Sequence, residues 1–517
     1  MLSDAFVHVM NVSLYNILKV DIKTDHIASK SKQPFSFRNW ILNLGEVVAL
    51  GIVAALASAF FTNHEAFEVT ISIIVAYLVP RFIYSTSKLR CDYGQWLLLI
   101  VGLALAAYAI ISIKSWTVDV GGSFEYPRLK SDDSGYYRWA LFYLDGRCPE
   151  PKVGFKGISI LMVWLWRALG VSIVWPIVFN YMLLLLSIVM TGKLAVRLFG
   201  NKLDDINPKT ISVLAMLIFS LLGFLLSQSL RIQKEAACTL GIVLVGYVLA
   251  GMSQVEKDNK RIQNKDIALF VLGCLILAFA RTSYAYFAVI GAIMMGLTNH
   301  HKRWKDSFLL CCIALGVTLL FSFIFNYSFG QQYRTVAGGE SMAKAFKITL
   351  EQQSYAALIG DYYYYPIWKR VLLLPVTVGV QYIIPFPWIY EPFEVNALSV
   401  LPRFRFMWYF VGGVCIFYYL HISILHNKQN HLGMWPWWPL IAFFIIAYIT
   451  GGTVSRYILP LQPLFAVIAL YVILKVWKGN FRRTFLIWIC VYIFFISALL
   501  IVCYHVQHNY LISIKAL

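Results

Sequence analysis

The chain has 517 residues, of which 60% are hydrophobic and only 13% charged, with a mean hydropathy of +0.68. No soluble globular fold of this size needs so much apolar sequence, and long continuous apolar runs argue against a membrane barrel, whose strands are about ten residues of alternating pattern. A formal net charge of +19 would point to nucleic acid in a soluble protein, but these basic residues lie in short loops between apolar runs, which assigns them to topology and anionic lipid.

Residues 1–38 are polar to weakly amphipathic, show no cleavable signal peptide and are expected to form a cytoplasmic N-terminal segment. A helix needs about twenty apolar residues to cross a bilayer. On that measure the sequence predicts an all-α polytopic membrane protein with about 13 transmembrane helices. They are placed near Trp40–Phe61, Phe67–Tyr84, Gln95–Ile113, Ser172–Thr191, Thr210–Gln228, Glu235–Gly251 and Asp266–Ala280. The remainder follow near Thr282–Leu297, Asp306–Asn326, Arg405–Leu425, Met434–Thr450, Tyr457–Leu474 and Thr484–Tyr504.

Basic residues recur in alternate loops: Arg81/Lys88/Arg90, Lys193/Arg197/Lys202/Lys209, Lys257/Lys260/Arg261/Lys265, Lys302/Arg303/Lys305 and Lys475/Lys478/Arg482/Arg483. The positive-inside rule makes these cytoplasmic. The first large outer loop is then 114–171 and the second 327–404, with 227–235, Arg281 and 451–456 on the same side. Phe155–Gly170 is too short to cross, and Arg370–Trp388 carries Pro375, Pro385 and Pro387. Both are predicted to lie in the outer interface.

Charges beside hydrocarbon are costly, so they are usually paired or functional. The outer side collects Asp132, Asp133, Lys156, Arg231, Lys234, Glu235, Arg281 and Arg456. Bland readings exist for each group: a solvated turn for the two aspartates, a local ion pair for Arg231, Lys234 and Glu235, a snorkelling anchor for Arg281. The functional reading is a site with carboxylates facing cations at headgroup depth. Such cations suit the phosphate of a lipid substrate. A carboxylate near the phosphate-linked carbon can take a proton from an incoming hydroxyl. The neighbouring carboxylate can orient the acceptor, hold the first, or bind a divalent cation. No Gly-rich loop for a nucleotide is present in strand–helix context. The nine cysteines show no metal-ligand spacing and read as packing residues.

Asp132-Asp133-Ser134-Gly135-Tyr136-Tyr137-Arg138-Trp139-Ala140, followed by Gly146, resembles the first outer loop of the GT-C superfamily of membrane glycosyltransferases. The short apolar helix ending in Leu169-Gly170 and the span ending in Arg197-Leu198-Phe199-Gly200 are similar to that family's order of parts. Arg231…Glu235 resembles its Arg/Glu feature, and Arg281-Thr282 falls where many members have Arg-Pro. Ser455-Arg456-Tyr457-Ile458-Leu459-Pro460 resembles the Arg-Tyr-x-x-Pro stretch opening a late span. Two features depart from the family: three spans precede the first outer loop instead of one, and Gly154-Phe155-Lys156-Gly157 replaces a His-Pro-Pro stretch.

The resemblance implies transfer of a sugar from a polyprenyl-phosphate donor to an acceptor glycan, lipid or protein at the outer face. By matching position Asp132 would be the general base and Asp133 its helper. Tyr137, Lys156, Arg231, Lys234, Glu235, Arg281, Arg456 and Tyr457 would bind substrate. No cofactor is required by this reading, a divalent cation stays open, and nucleic acid is not a partner. A bacterial inner membrane is the expected location. The alternatives are an O-antigen-type polysaccharide polymerase, with Arg334, Arg370, Arg403 and Arg405 in or beside the second outer loop, and a lipid or sugar transporter.

Overall fold

The computed structural model describes residues 37–119, 121–129, 131–147, 156–199, 206–222, 232–253, 262–298, 304–324, 365–383, 408–425, 432–450, 455–478 and 482–515. For Asp132, Lys156 and Arg456 it describes the backbone alone. Every regular element among these residues is helical. In chain order they are α1 (Phe37–Phe60), α2 (Asn63–Ser85), α3 (Asp92–Lys114), α4 (Ser131–Leu144), α5 (Lys156–Leu169), α6 (Val174–Phe199), α7 (Pro208–Ser220) and α8 (Glu235–Ser253). Then follow α9 (Asn264–Thr298), α10 (Trp304–Ile324), α11 (Ile367–Leu372), α12 (Leu374–Ile383), α13 (Ile416–Leu425), α14 (Trp437–Thr450), α15 (Gln462–Lys478) and α16 (Arg482–Lys515). A π-helical turn, Tyr409–Cys415, leads into α13, and a 3₁₀ turn, Ser455–Leu461, leads into α15.

Eight helices among the described residues are long and apolar enough to cross a membrane, which makes the chain an integral membrane protein. They are Ile41–Phe60, Asn63–Ser85, Asp92–Asp119, Val174–Phe199, Glu235–Ser253, Asn264–Leu297, Trp304–Ile324 and Tyr457–Trp477. The expected count of about 13 also takes in apolar helices with fewer described residues, such as Pro208–Ser220 and Trp437–Ile449, and it takes α9 as two spans, a division that matches the break at Arg281.

α9 carries both predicted spans in one helical stretch, broken by Arg281 at φ −159° and ψ 99°. Its arms fold back on each other. Val245 of α8 meets the position of a Cβ on Gly273, and Leu249, one turn further, meets that of Gly291. On a straight helix those two glycines would stand about 27 Å apart, far beyond the reach of one turn of α8. Both arms therefore lie along α8, with Arg281 at the bend.

α6, α8 and α15 form the centre, and their residues are almost all buried. α1 and α10 lie at the rim and expose Val47, Val48, Phe308 and Phe323, as helices facing lipid should. Small residues let the central helices approach. A side chain on Gly241 would strike Leu277, and one on Gly246 would strike Leu464. Two buried indoles fill the remaining gaps: Trp435 donates to the Gly246 carbonyl at 3.0 Å and Trp438 to the Phe287 carbonyl at 2.7 Å.

The two ends of the bundle differ. At the end away from Arg281, Arg197 of α6 makes a two-pronged ion pair with Asp266 of α9, at 2.9 and 2.7 Å. Its guanidinium carbon lies 4.2 Å from the centre of the Tyr247 ring. Gly251 leaves the room for it, because a Cβ there would sit 2.1 Å from Nη2. Arg197 was read from sequence as a loop charge; it is a clamp joining α6, α8 and α9. Arg81 belongs to another such pair, with Glu46, that joins α2 to α1.

Candidate functional site

The end of the bundle that holds the Arg281 bend is built from several segments. Phe61, at the end of α1, packs edge-on against Phe124, with centroids 5.5 Å apart. The stretch around Phe124 then anchors α4. Tyr137 donates its hydroxyl to the carbonyls of Glu125 at 2.8 Å and Phe124 at 3.2 Å, and its ring meets Trp166 of α5 at 4.7 Å. Burial, with the Glu125 charge as a second cause, pushes the Tyr137 phenol well up. Tyr137 was expected to bind substrate; here its hydroxyl faces backbone carbonyls and holds α4 in place.

α5 crosses from α4 to the bend. Ser159 donates to the Tyr136 carbonyl at 3.0 Å. Gly157 rests directly on the Phe279 carbonyl, where a Cβ would come within 1.8 Å of the oxygen. Trp164 stacks on the Phe279 ring. Lys156 is the residue before Gly157, so the backbone carries it beside the arm that ends in Arg281.

The start of α8 lies between α4 and the bend. The carbonyl of Gln233 accepts from Asn180 Nδ2 of α6 at 3.1 Å, which pins the entry to α8. Lys234 Nζ stands 5.8 Å from the centre of the Tyr136 ring on α4. Asp133, one turn before Tyr136, is buried and partnered. Glu235, the first residue of α8, is 3% exposed.

Arg281 is ringed by protein yet keeps a partly accessible surface. Its guanidinium carbon lies 3.9 Å from the centre of the Tyr457 ring and 5.3 Å from that of Tyr284. Tyr284 in turn donates its hydroxyl to the Tyr457 carbonyl. No carboxylate oxygen of a described residue lies within 4.0 Å of the guanidinium. Glu235 acts on Arg281 electrostatically from beyond that distance. A cation held between two rings in a medium of low dielectric, without an ion pair, favours an incoming anion.

The structure thus brings together Asp133, Lys234, Glu235, Arg281 and Tyr457, with the backbones of Asp132, Lys156 and Arg456 on the same segments. Arg231 lies outside the described residues, as do Arg334, Arg403 and Arg405. Sequence reasoning missed Gln233 and Tyr284. Tyr284 sits three residues past Arg281, one helical turn away, and that spacing was the available signal. Among the described residues no group of three His, Cys, Asp or Glu is placed to hold a metal. No family model, curated protein or solved structure matches this chain.

Proposed function

We propose that the chain is an integral-membrane glycosyltransferase, in the manner of the GT-C enzymes. It moves a sugar from a polyprenyl-phosphate donor to an acceptor hydroxyl at the extracytoplasmic face. The observation that carries this reading is Arg281: a partly accessible guanidinium at a helix bend, cushioned by Tyr457 and Tyr284 and with no carboxylate of a described residue at ion-pair distance, at the same end of the bundle as the Asp132-Asp133 helix.

In this mechanism the donor enters sideways from the bilayer, and its phosphate meets Arg281 and Lys234, with Arg231, Lys156 and Arg456 as further cations. Asp132 takes the proton of the acceptor hydroxyl. The acceptor oxygen forms its bond to the anomeric carbon from the face opposite the phosphate. The bond from that carbon to the phosphate oxygen breaks with inversion, and its electron pair leaves on the polyprenyl phosphate. Fixed cations stabilise the charge that develops there. Asp133, buried in the same turn, holds the base in place.

The test is turnover in proteoliposomes. Asp132→Asn lowers product formation by about 100-fold or more, the range for loss of a general base, while the protein stays folded. Retained turnover removes the base assignment. The polymerase alternative has one observation in its favour. Arg370, in the second predicted outer loop, is buried at 1% exposure, with its guanidinium carbon 4.6 Å from the Tyr448 ring. A ladder of repeats as product would favour that reading, and a single added sugar favours the transferase.

A further inference from the structure

Two polar atoms at the entry to α8 have no hydrogen-bond partner among the described residues: the Gln233 amide nitrogen Nε2 and the Glu235 carboxylate oxygen Oε2. Both residues are almost fully buried, at 2% and 3% exposure. A buried polar group left unsatisfied costs about 1–3 kcal/mol, more if charged. Gln95 and Gln462 also bury polar atoms without partners among the described residues, but neither has a second such residue beside it in sequence. Gln233 and Glu235 are two residues apart, with Lys234 between them and Arg281 acting on Glu235.

One of these atoms is a donor only and the other an acceptor only. A sugar ring carries several hydroxyls, each both donor and acceptor, and can satisfy both atoms. One hydroxyl accepts from Nε2 and another donates to Oε2. The rest of the entry is fixed: Asn180 holds the Gln233 backbone, and Thr239 Oγ1 donates to the Glu235 carbonyl at 2.7 Å. The two side chains are therefore mounted on rigid backbone, as a specificity site requires.

We infer that Gln233 and Glu235 form the sugar-recognition pair, each reading a hydroxyl of the glycosyl group whose phosphate lies on Arg281 and Lys234. This rests on the proposed glycosyltransferase reading and adds the element that selects the sugar. Both atoms are shut off from solvent in the ligand-free chain. The phosphate therefore docks first on the accessible cations, and the hydroxyls displace covering side chains as the sugar settles. Selectivity of this kind is strong, because an analogue lacking either hydroxyl leaves a buried group unpaired.

The experiment uses the full chain in lipid nanodiscs. It is titrated with a long-chain polyprenyl phosphate and with the same lipid carrying a glucosyl, galactosyl, mannosyl or N-acetylglucosaminyl group. One glycosylated lipid binds more tightly than the bare phosphate. Gln233→Met weakens that lipid about tenfold, the loss expected for one buried hydrogen bond, and leaves the bare phosphate unchanged; Glu235→Gln, which also removes the charge acting on Arg281, weakens the glycosylated lipid by a similar factor relative to the bare phosphate. Gln233→Met also keeps or raises the melting temperature of the ligand-free protein, since it removes a buried N–H without an acceptor. A lower melting temperature would make Gln233 a structural residue and overturn the inference. Equal losses for bare and glycosylated lipid would overturn it too, as would a wild-type chain that binds the bare phosphate as tightly as every glycosylated form. A wild-type chain that binds none of these lipids would overturn the glycosyltransferase reading itself, and the inference with it.

Discussion

Asp266→Asn probes the ion pair that ties α6 to α9 at the end away from Arg281. The substitution keeps the shape of the side chain and removes its charge. The lost interaction is two-pronged, at 2.9 and 2.7 Å. Removing one partner of a fully buried pair costs about 3–5 kcal/mol, whereas an exposed pair is worth about 0–1 kcal/mol. The Asp266 side chain is 7% exposed and that of Arg197 21%, so the pair falls between these limits. A loss of about 2–3 kcal/mol is expected on that scale. The Arg197 guanidinium has nowhere better to go, because Tyr247 lies across one face and Gly251 closes behind it. Replacing both partners, Arg197→Met with Asp266→Leu, removes the stranded charge and costs less than Asp266→Asn alone, about 1 kcal/mol. Equilibrium unfolding in mixed micelles, with the four members of the cycle compared, measures the coupling. An Asp266→Asn protein as stable as wild type, or a double mutant whose loss equals the sum of the singles, would refute the clamp.

Gly157→Ala forces a methyl group onto the Phe279 carbonyl, which is backbone and cannot swing away. α5 must lift from the bend at a cost of about 1–3 kcal/mol, seen as a lower melting temperature and a loss of turnover larger than stability alone explains. Tyr137→Phe leaves the ring on Trp166 and loses the hydroxyl's bonds to the Phe124 and Glu125 carbonyls, costing about 1 kcal/mol near neutral pH. Because burial holds the Tyr137 phenol above its ordinary value of 10.0, its contribution is complete below about pH 10 and is lost as pH rises further. Unfolding followed from pH 8 to pH 11 should therefore fall less steeply for Tyr137→Phe than for wild type.

Much of the helical frame was legible because it depends on local composition. Runs such as Gln95–Ile113 and Tyr457–Leu474 are apolar enough that no other backbone geometry satisfies their peptide groups in hydrocarbon. Arg281 was marked for the same reason: a charge between two apolar runs has few places to sit, and the bend in α9 provides one. The helix Lys156–Leu169, with 14 described residues, is short as expected from Phe155–Gly170, but the sequence did not mark it as the piece that joins α4 to the bend.

The sequence alone determined that this is a helical membrane protein and that its misplaced charges gather in a few segments, since both follow from the cost of polar groups in hydrocarbon. Only the tertiary structure decided how those charges are used. Arg197, taken for a loop cation, is bound to Asp266, 69 residues on. Tyr137, taken for a ligand contact, donates to the carbonyls of Phe124 and Glu125 in the stretch before α4, while Gln233, an unremarked polar residue, is buried with a donor to spare. Pairing is a matter of distances between helices, and those distances come from small residues such as Gly157, Gly251 and Gly291, whose importance lies in what they let approach and leaves no mark in composition.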